Sequence, residues 1–325
     1  MRTLTDFLYE VDPEKWVYPI YVPSHKRAGI SPLLNLLAGA PEYIQGKVYI
    51  VARASEAKAY RRAYPWATIV EQRVPWGIGP GRMACLLDAD KRGFKRIVMM
   101  DDDITRVGIL EDRSLTEYPF TTKSGRYSYK NTPWTAEEFT LHCLALACQM
   151  ADAVFYHAED VAYGSTRSAF MSHAEDVSVT ATIDGKGFPL CVLFMDLERF
   201  QMRRMPEEFQ YEGEDLAMYL DTYDRGYSTF LFNNVIFDDD RGLTTTIPMS
   251  GNGEIDRTQN LKDAQLLYDE LGPFLKVTNR NKDTGAVYRI GVDWRRYHEG
   301  NGTRPTNILT GDVLSFIEHT EGLTT

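Results

Sequence analysis

Five mostly apolar residues, Arg96-Ile97-Val98-Met99-Met100, run directly into three carboxylates, Asp101, Asp102 and Asp103. An unbroken apolar run with β-branched Ile97 and Val98 is how a strand buried on both faces reads. Such a strand belongs to an α/β architecture, where ligands bind at the carboxyl ends of the strands. Alternate carboxylates, here Asp101 and Asp103, can supply oxygen ligands to Mg²⁺ or Mn²⁺, with phosphate and water completing the shell. A solvated acidic turn after a strand would read the same way. The flanking sequence has to decide.

Upstream lies Val74-Pro75-Trp76-Gly77-Ile78-Gly79-Pro80-Gly81-Arg82. Its three glycines allow close backbone approach to a ligand, and Pro80 suits a first helical turn. The helix predicted from there runs to about Lys91, and Gly93 closes it. No Gly-Lys-Ser/Thr follows, so this is not a Walker loop. With Arg82 in the first turn and the aspartates about twenty residues on, the segment reads as one βα ligand-binding unit. A first strand, Tyr18–Val22, leads into the basic turn Pro23-Ser24-His25-Lys26-Arg27-Ala28-Gly29, a natural seat for nucleotide phosphates. An ordinary surface loop is the competing reading. Then follow a short helix at Pro32–Leu37 and a strand at Val48–Val51, trailed by Arg53. A helix over Ser55–Tyr64, capped by Ser55 and solvated along Arg61-Arg62, precedes a brief strand at Ile69-Val70.

Downstream, the polar stretch Glu111–Asn131 reads as a hairpin or loop. Thr135–Glu138 is a capping box opening a helix whose Phe139, Cys143, Leu146 and Met150 form a core stripe. Gly187–Asp196 is an apolar strand. In Tyr211–Tyr219, Glu212, Glu214 and Asp215 stand at the head of a helix, where acidic residues also serve the dipole. Ser228–Phe237 is a late strand ending in a second triplet, Asp238, Asp239 and Asp240. That triplet is a rival metal site, ranked lower because no glycine-arginine helix precedes it. Thr244–Glu254 reads as a flexible Gly- and Thr-rich loop, Arg257–Leu271 as a surface helix, and the remainder as a hairpin with a basic-aromatic segment. No internal repeat or low-complexity run occurs.

With 325 residues, 43% hydrophobic and 25% charged, the chain has ordinary globular composition. A net charge of −10 argues against a protein that coats nucleic acid, though not against a local basic groove. Cys85, Cys143, Cys148 and Cys191 sit in apolar contexts without zinc-ligand spacing and read as free thiols in a reducing compartment. The opening MRTLTDFLYEVDPEK is mixed and charged, unlike a signal peptide. The apolar stretch Leu141–Phe155 is too short for a membrane span. Asn301-Gly302-Thr303 reads as a turn. The expectation is a cytoplasmic protein with no membrane partner.

Gly77–Thr105, GIGPGRMACLLDADKRGFKRIVMMDDDIT, resembles the core of GT-A glycosyltransferases, in which an arginine-bearing helix precedes the strand delivering an Asp-x-Asp motif. The segments YPIYVPSHKRAG (18–29) and VPWGIGPGR (74–82) resemble, more narrowly, phage DNA glycosyltransferases associated with TET-like dioxygenases, which place sugars on 5-hydroxymethylcytosine. The resemblance implies a Rossmann-like, mixed and mostly parallel sheet flanked by helices. It implies a catalytic domain over residues 1–250 and a small C-terminal appendage over 251–325. It further implies a phage-encoded, metal-dependent hexosyl- or pentosyltransferase acting on a nucleoside diphosphate sugar, with UDP as the expected nucleotide. Pro23, Ser24, Arg27, Arg53, Gly79, Arg82, Asp101 and Asp102 would line the donor site. Asp101, Asp103 and a late histidine, His298 with His173 as runner-up, would hold Mn²⁺ or Mg²⁺. The Gly-Glu-Asp at 213–215 is similar to the acceptor-side motif that supplies the catalytic base, which points to Asp215, with Glu214 as fallback.

The acceptor is the least constrained element. Arg199, Arg203 and Arg204, and the later Arg295-Arg296-Tyr297, interleave charge with aromatic rings as a phosphate backbone and an unstacked base require. A glycan- or lipid-modifying transferase, or a metal-dependent nucleotidyltransferase releasing pyrophosphate, is the alternative.

Overall fold

The computed structural model describes residues 3–73, 77–111, 114–119, 134–167, 181–183, 191–201, 209, 213–239, 257–279, 288–293, 296–297 and 317. Two helices not anticipated from the mixed N-terminal sequence come first, α1 (Leu4–Glu10) and α2 (Pro13–Trp16). Thr3 and Asp6 form a reciprocal capping box on α1, and Asp12 with Pro13 starts α2. Next come β1 (Ile20–Pro23), α3 (Pro32–Leu37), α4 (Glu42–Gln45) and β2 (Val48–Arg53). They are followed by α5 (Ala57–Ala63), β3 (Thr68–Gln72), α6 (Ile78–Lys91) and β4 (Arg96–Met100). The bounds of α3 and β4 are those expected. Ser55 does not cap α5: Glu56 occupies the N-cap, makes no capping bond, and instead accepts from the Lys26 amide at 2.8 Å. Gly93 sits just past α6 at φ +74°, the left-handed conformation that ends a helix.

Strands β3, β2, β1 and β4 are adjacent and all parallel. The chain steps outward from β1 through β2 to β3, then crosses to β4 on the other side of β1. That reversal opens a crevice at the carboxyl ends of β1 and β4, where open α/β sheets bind ligands. Side chains along β4 alternate between two cores, as the twofold period of a strand demands. Val98 and Met100 pack with β1 and the long helix α7 (Ala136–His157), while Ile97 and Met99 pack with Met83, Cys85 and Leu86 of α6.

The second half supplies β5 (Ile104–Glu111), β6 (Ser114–Pro119), β7 (Val161–Arg167), β8 (Ala181–Ile183) and β9 (Val192–Asp196). It continues with α8 (Glu214–Asp224) and β10 (Ser228–Asp239). These strands extend the sheet to ten, in the order β3-β2-β1-β4-β9-β7-β10-β5-β6, with β8 also on β10. The sheet is mixed: β7 and β10 are parallel, while β9, β8, β5 and β6 make antiparallel pairings. Beyond it, α9 (Arg257–Leu271) precedes a separate hairpin of β11 (Leu275–Asn279) and β12 (Tyr288–Val292).

Helix α7 begins on the expected capping box of Thr135 and Glu138. Its 22 residues make it long and apolar enough to cross a membrane, contrary to the length expected from sequence. The apolar window is 83% buried within the fold, so its hydrophobicity is consumed by the sheet and α1 rather than by lipid. It is also buried around most of its girth, not along one stripe.

The carboxyl end of α7 is closed by an arginine. Arg199 donates to the carbonyls of Phe155, Ala158 and Val161 at 2.8–3.0 Å. Its own carbonyl accepts from Arg225 at 2.6 Å. Arg199 is therefore a helix-capping group and is withdrawn from the nucleic-acid role expected of it. Arg199→Ala should lower stability by about 3 kcal/mol, since charge-assisted bonds are lost and carbonyls left bare. Chemical denaturation of the variant measures this.

Candidate functional site

The turn after β1 and the turn after β4 meet at the crevice. Asp102, at the centre of the triplet, points inward and is 6% exposed. Its carboxylate accepts from Ser24 Oγ and Arg27 Nη1. Its carbonyl accepts from Ser31 Oγ at 2.6 Å. Ser31 also caps α3 through the Leu34 amide. Tyr60 of α5 joins the cluster, since its hydroxyl lies 2.7 Å from Ser24 Oγ and accepts from the Arg27 amide at 3.0 Å. Burial drives the Asp102 carboxyl up to about 7, with Asp103 adding to the rise and Arg27 opposing it. Asp102, Ser24 and Arg27 thus lock two turns together. Asp102 was expected to contact a nucleotide, but its carboxylate is spent on this internal joint.

Asp101 and Asp103 are the outward pair, each with a side chain 26% exposed. The alternation follows from an extended entry into the turn, which throws neighbouring side chains to opposite sides. Arg27 Nη1 reaches Asp103 Oδ2 at 3.3 Å. The Asp101 amide is held by the Cys191 carbonyl at 2.8 Å, across the β4–β9 ladder.

Arg82 makes the larger connection. From the start of the second turn of α6, 4% exposed, it places Nη2 at 3.4 Å from Asp101 Oδ1 and Nε at 3.3 Å from Glu214 Oε1. One guanidinium therefore joins the aspartate triplet to the Gly-Glu-Asp at the head of α8, motifs more than a hundred residues apart. Burial alone would lower the Arg82 pKa, but Asp101, Glu214 and Asp215 together outweigh it and raise that pKa. The carboxyls share that single cation. Burial pushes Asp101 up to about 6, with Arg82 opposing and Asp103 and Asp215 adding. Burial and the Asp215 charge push Glu214 up to about 8. Asp215 is raised by burial too, against Arg82, and its Oδ1 accepts from the Leu216 amide at 2.8 Å.

Other expected residues fall as follows. Pro23 ends β1 and lies against Gly81 of α6. Gly79 is in the first turn of α6, but its amide donates to the Phe209 carbonyl at 3.0 Å rather than facing the crevice unbonded. Arg53 ends β2, paired in register with Gln72 of β3, so β1 separates it from β4. Glu212, His173, His298, Arg203, Arg204, Arg295 and Asp240 lie outside the described residues. Tyr297, expected at a nucleic-acid surface, is buried and donates to Asp224 at 2.7 Å. The second triplet is no distant rival: β10 runs antiparallel to β5 with Asp239 opposite Ile104, the residue after Asp103. Asp239 of the second triplet and the residue following the first therefore lie side by side on neighbouring strands.

Among the described residues, no group of three or more His, Cys, Asp and Glu side chains is arranged to hold a metal. Two outward alternate carboxylates nevertheless suit Mg²⁺ or Mn²⁺ of the kind that retains water and takes further ligands from substrate phosphates. The donor set fits such a shared site and does not form an all-protein cage.

The sequence signal missed Ser31, Tyr60 and Phe209. Ser31 precedes the helix expected at Pro32–Leu37 and carried no signal of its own, and Tyr60 was legible only as part of the helix expected over Ser55–Tyr64. Phe209 acts through its backbone.

A family model described as TET-Associated Glycosyltransferase matches residues 18–244. No curated protein matches the chain. Among solved structures, glucosyl-3-phosphoglycerate synthase from Mycobacterium tuberculosis, in complex with Mn²⁺, UDP and phosphoglyceric acid, is 10% identical with a TM-score of 0.43. That match covers 90% of this chain and 91% of the other. Mannose-1-phosphate geranyltransferase from Thermus thermophilus is 10% identical with a TM-score of 0.36, over 69% of this chain and 76% of the other.

The burial of Glu214 beside Asp215 has a measurable signature. Glu214 is raised in the fold, so its contribution to stability is complete below the unfolded carboxyl value near ~4.3. That contribution is lost as pH rises through about 8. Glu214→Gln should remove this loss, so its melting temperature, relative to the parent, rises between pH 5 and pH 9 in metal-free buffer.

Proposed function

The chain belongs to the TET-associated glycosyltransferase family, and from that premise we propose that it transfers a sugar from a nucleoside diphosphate sugar, with UDP as the nucleotide, to the hydroxyl of 5-hydroxymethylcytosine in DNA. The observation that carries the reading is Arg82, which fastens the donor-side aspartates to the carboxylates of α8. Transfer of a glycosyl group builds negative charge on the departing diphosphate and requires a proton to leave the attacking hydroxyl. A site for it needs fixed positive potential and a carboxylate base within one cavity. Arg82 and Arg27 supply the first at fixed positions, and α8 presents the second.

Asp101 and Asp103 would hold Mn²⁺ or Mg²⁺ together with the diphosphate, and the ion would supply Lewis-acid stabilisation of the leaving group. Asp102 keeps the turn that carries them rigid. Of the two carboxylates on α8, Asp215 is the better base. Glu214 is engaged by Arg82 at 3.3 Å, and burial with the Asp215 charge pushes its carboxyl up. Asp215 is the more exposed of the pair. Burial raises Asp215 as well, which brings a carboxylate nearer the pH at which a base works best. The DNA acceptor is supported by the family match. Among the basic residues singled out for it, Arg296 is exposed in the described structure.

Asp103→Asn should abolish transfer and weaken nucleotide-sugar binding in Mn²⁺; unchanged turnover and metal titration would exclude the metal assignment. Asp215→Asn tests the base, because the amide keeps the shape of the side chain and an oxygen for the Leu216 amide but takes up no proton at neutral pH. Its turnover should fall by roughly 10²–10⁴ while donor affinity and melting temperature hold. Mass spectrometry of nucleosides from hydroxymethylated DNA, after incubation with Mn²⁺ and a panel of UDP-sugars, should show a glycosylated 5-hydroxymethylcytosine. Its absence, with transfer to a glycan or lipid acceptor, would replace the DNA reading.

A further inference from the structure

The family match ends at residue 244, yet a side chain beyond it reaches the base of the site. Leu267 of α9 is 1% exposed and packs in a small separate core with Phe209, Leu216, Ala217, Leu220 and Tyr297. Its target is Gly213, the N-cap of α8, at φ +100°. A Cβ at Gly213 would stand 2.6 Å from Leu267 Cδ1 and 3.3 Å from both Leu267 Cγ and Phe209 Cδ1. The first turn of α8 is therefore seated directly on this leucine, with room for hydrogen alone. Phe209 carries the contact onward, since its carbonyl accepts from the Gly79 amide in the first turn of α6. Three residues along α6 is Arg82 and one along α8 is Glu214, the two ends of the central ion pair.

We propose that Leu267 is a positioning residue for sugar transfer: the appendage wedges α8 and, through Phe209, α6, so that Arg82 and the Glu214–Asp215 pair hold their relative placement. The consequence for catalysis rests on the reading of Asp215 as base; the consequence for geometry does not. Tyr297 belongs to the same small core but touches the far end of α8, where it donates to Asp224. It therefore serves as a control for loss of appendage packing in general.

The test uses the full chain with Leu267→Val, which shortens the wedge, Leu267→Met, which keeps its volume, and Tyr297→Phe, which removes only the hydroxyl. Displacement of a catalytic group by a fraction of an ångström to one ångström costs up to about 100-fold. Leu267→Val should lower kcat for transfer roughly tenfold or more with the donor KM unchanged, and Leu267→Met should restore most of it. Tyr297→Phe should melt earlier yet keep kcat. Hydrogen exchange should quicken at the Gly79 and Ala217 amides in Leu267→Val and stay unchanged in Tyr297→Phe. Unchanged exchange at those amides in Leu267→Val overturns the positioning. A kcat loss as large in Tyr297→Phe overturns it too, by reducing the effect to general destabilisation. Faster exchange with undiminished kcat overturns the catalytic consequence; Asp215→Asn, assayed alongside, then shows whether the base assignment fails with it.

Discussion

One buried cation sets the terms for the rest of the site. Arg82 has almost no contact with water and several carboxylates to answer. A buried guanidinium without a partner is strongly unfavourable, and so is a buried carboxylate. Each side of this arrangement is tolerable only because the other is present. The glycine-rich start of α6, the aspartate turn and the head of α8 must therefore arrive together. The surplus of carboxylate over guanidinium is equally fixed, because a single Arg82 meets Asp101, Glu214 and Asp215. That imbalance gives the crevice its appetite for further positive charge.

The donor half was legible because its signals are local. An apolar run ending in aspartates, glycines with an arginine at a helix start, and Gly93 at a helix end all report on neighbours within a few residues, and the bounds of β4 and α3 came out as read. What sequence could not show was direction. Three identical aspartates look equivalent on paper, yet the turn after β4 buries Asp102 and leaves its neighbours partly exposed. Arg199 looked like a surface cation and proved to close a helix forty residues away. The two aspartate triplets looked like alternatives because nothing local encodes the antiparallel register that sets Asp239 beside Ile104. Pairing between distant strands is information held by the whole fold.

The sheet divides labour along its width. Its parallel part, β3-β2-β1-β4, forms the crevice by the reversal of strand order around β1. Its mixed part carries no comparable switch point and instead supplies β9, which fixes the Asp101 amide through Cys191. Cys191 sits at φ +62°, a left-handed conformation unusual for a side chain-bearing residue. Strain of this sort persists where surrounding structure over-determines the backbone, here at the rung that anchors the aspartate turn.

The position of β10 bears on the order in which the protein can mature. It lies inside the sheet, between β7 and β5, and among the described residues the β5–β6 hairpin joins the other strands of the sheet through it alone. On the ribosome, β5 and β6 emerge more than a hundred residues before β10 does. For that interval the hairpin beside the aspartate turn lacks the strand that covers β5, and an open edge of this kind invites wrong pairing. Insertion of a late strand into an interior place is a closure over a long loop, and such closures are slow. The aspartate turn, though encoded in the first third of the chain, becomes a working surface only once the last strand of the sheet is threaded home.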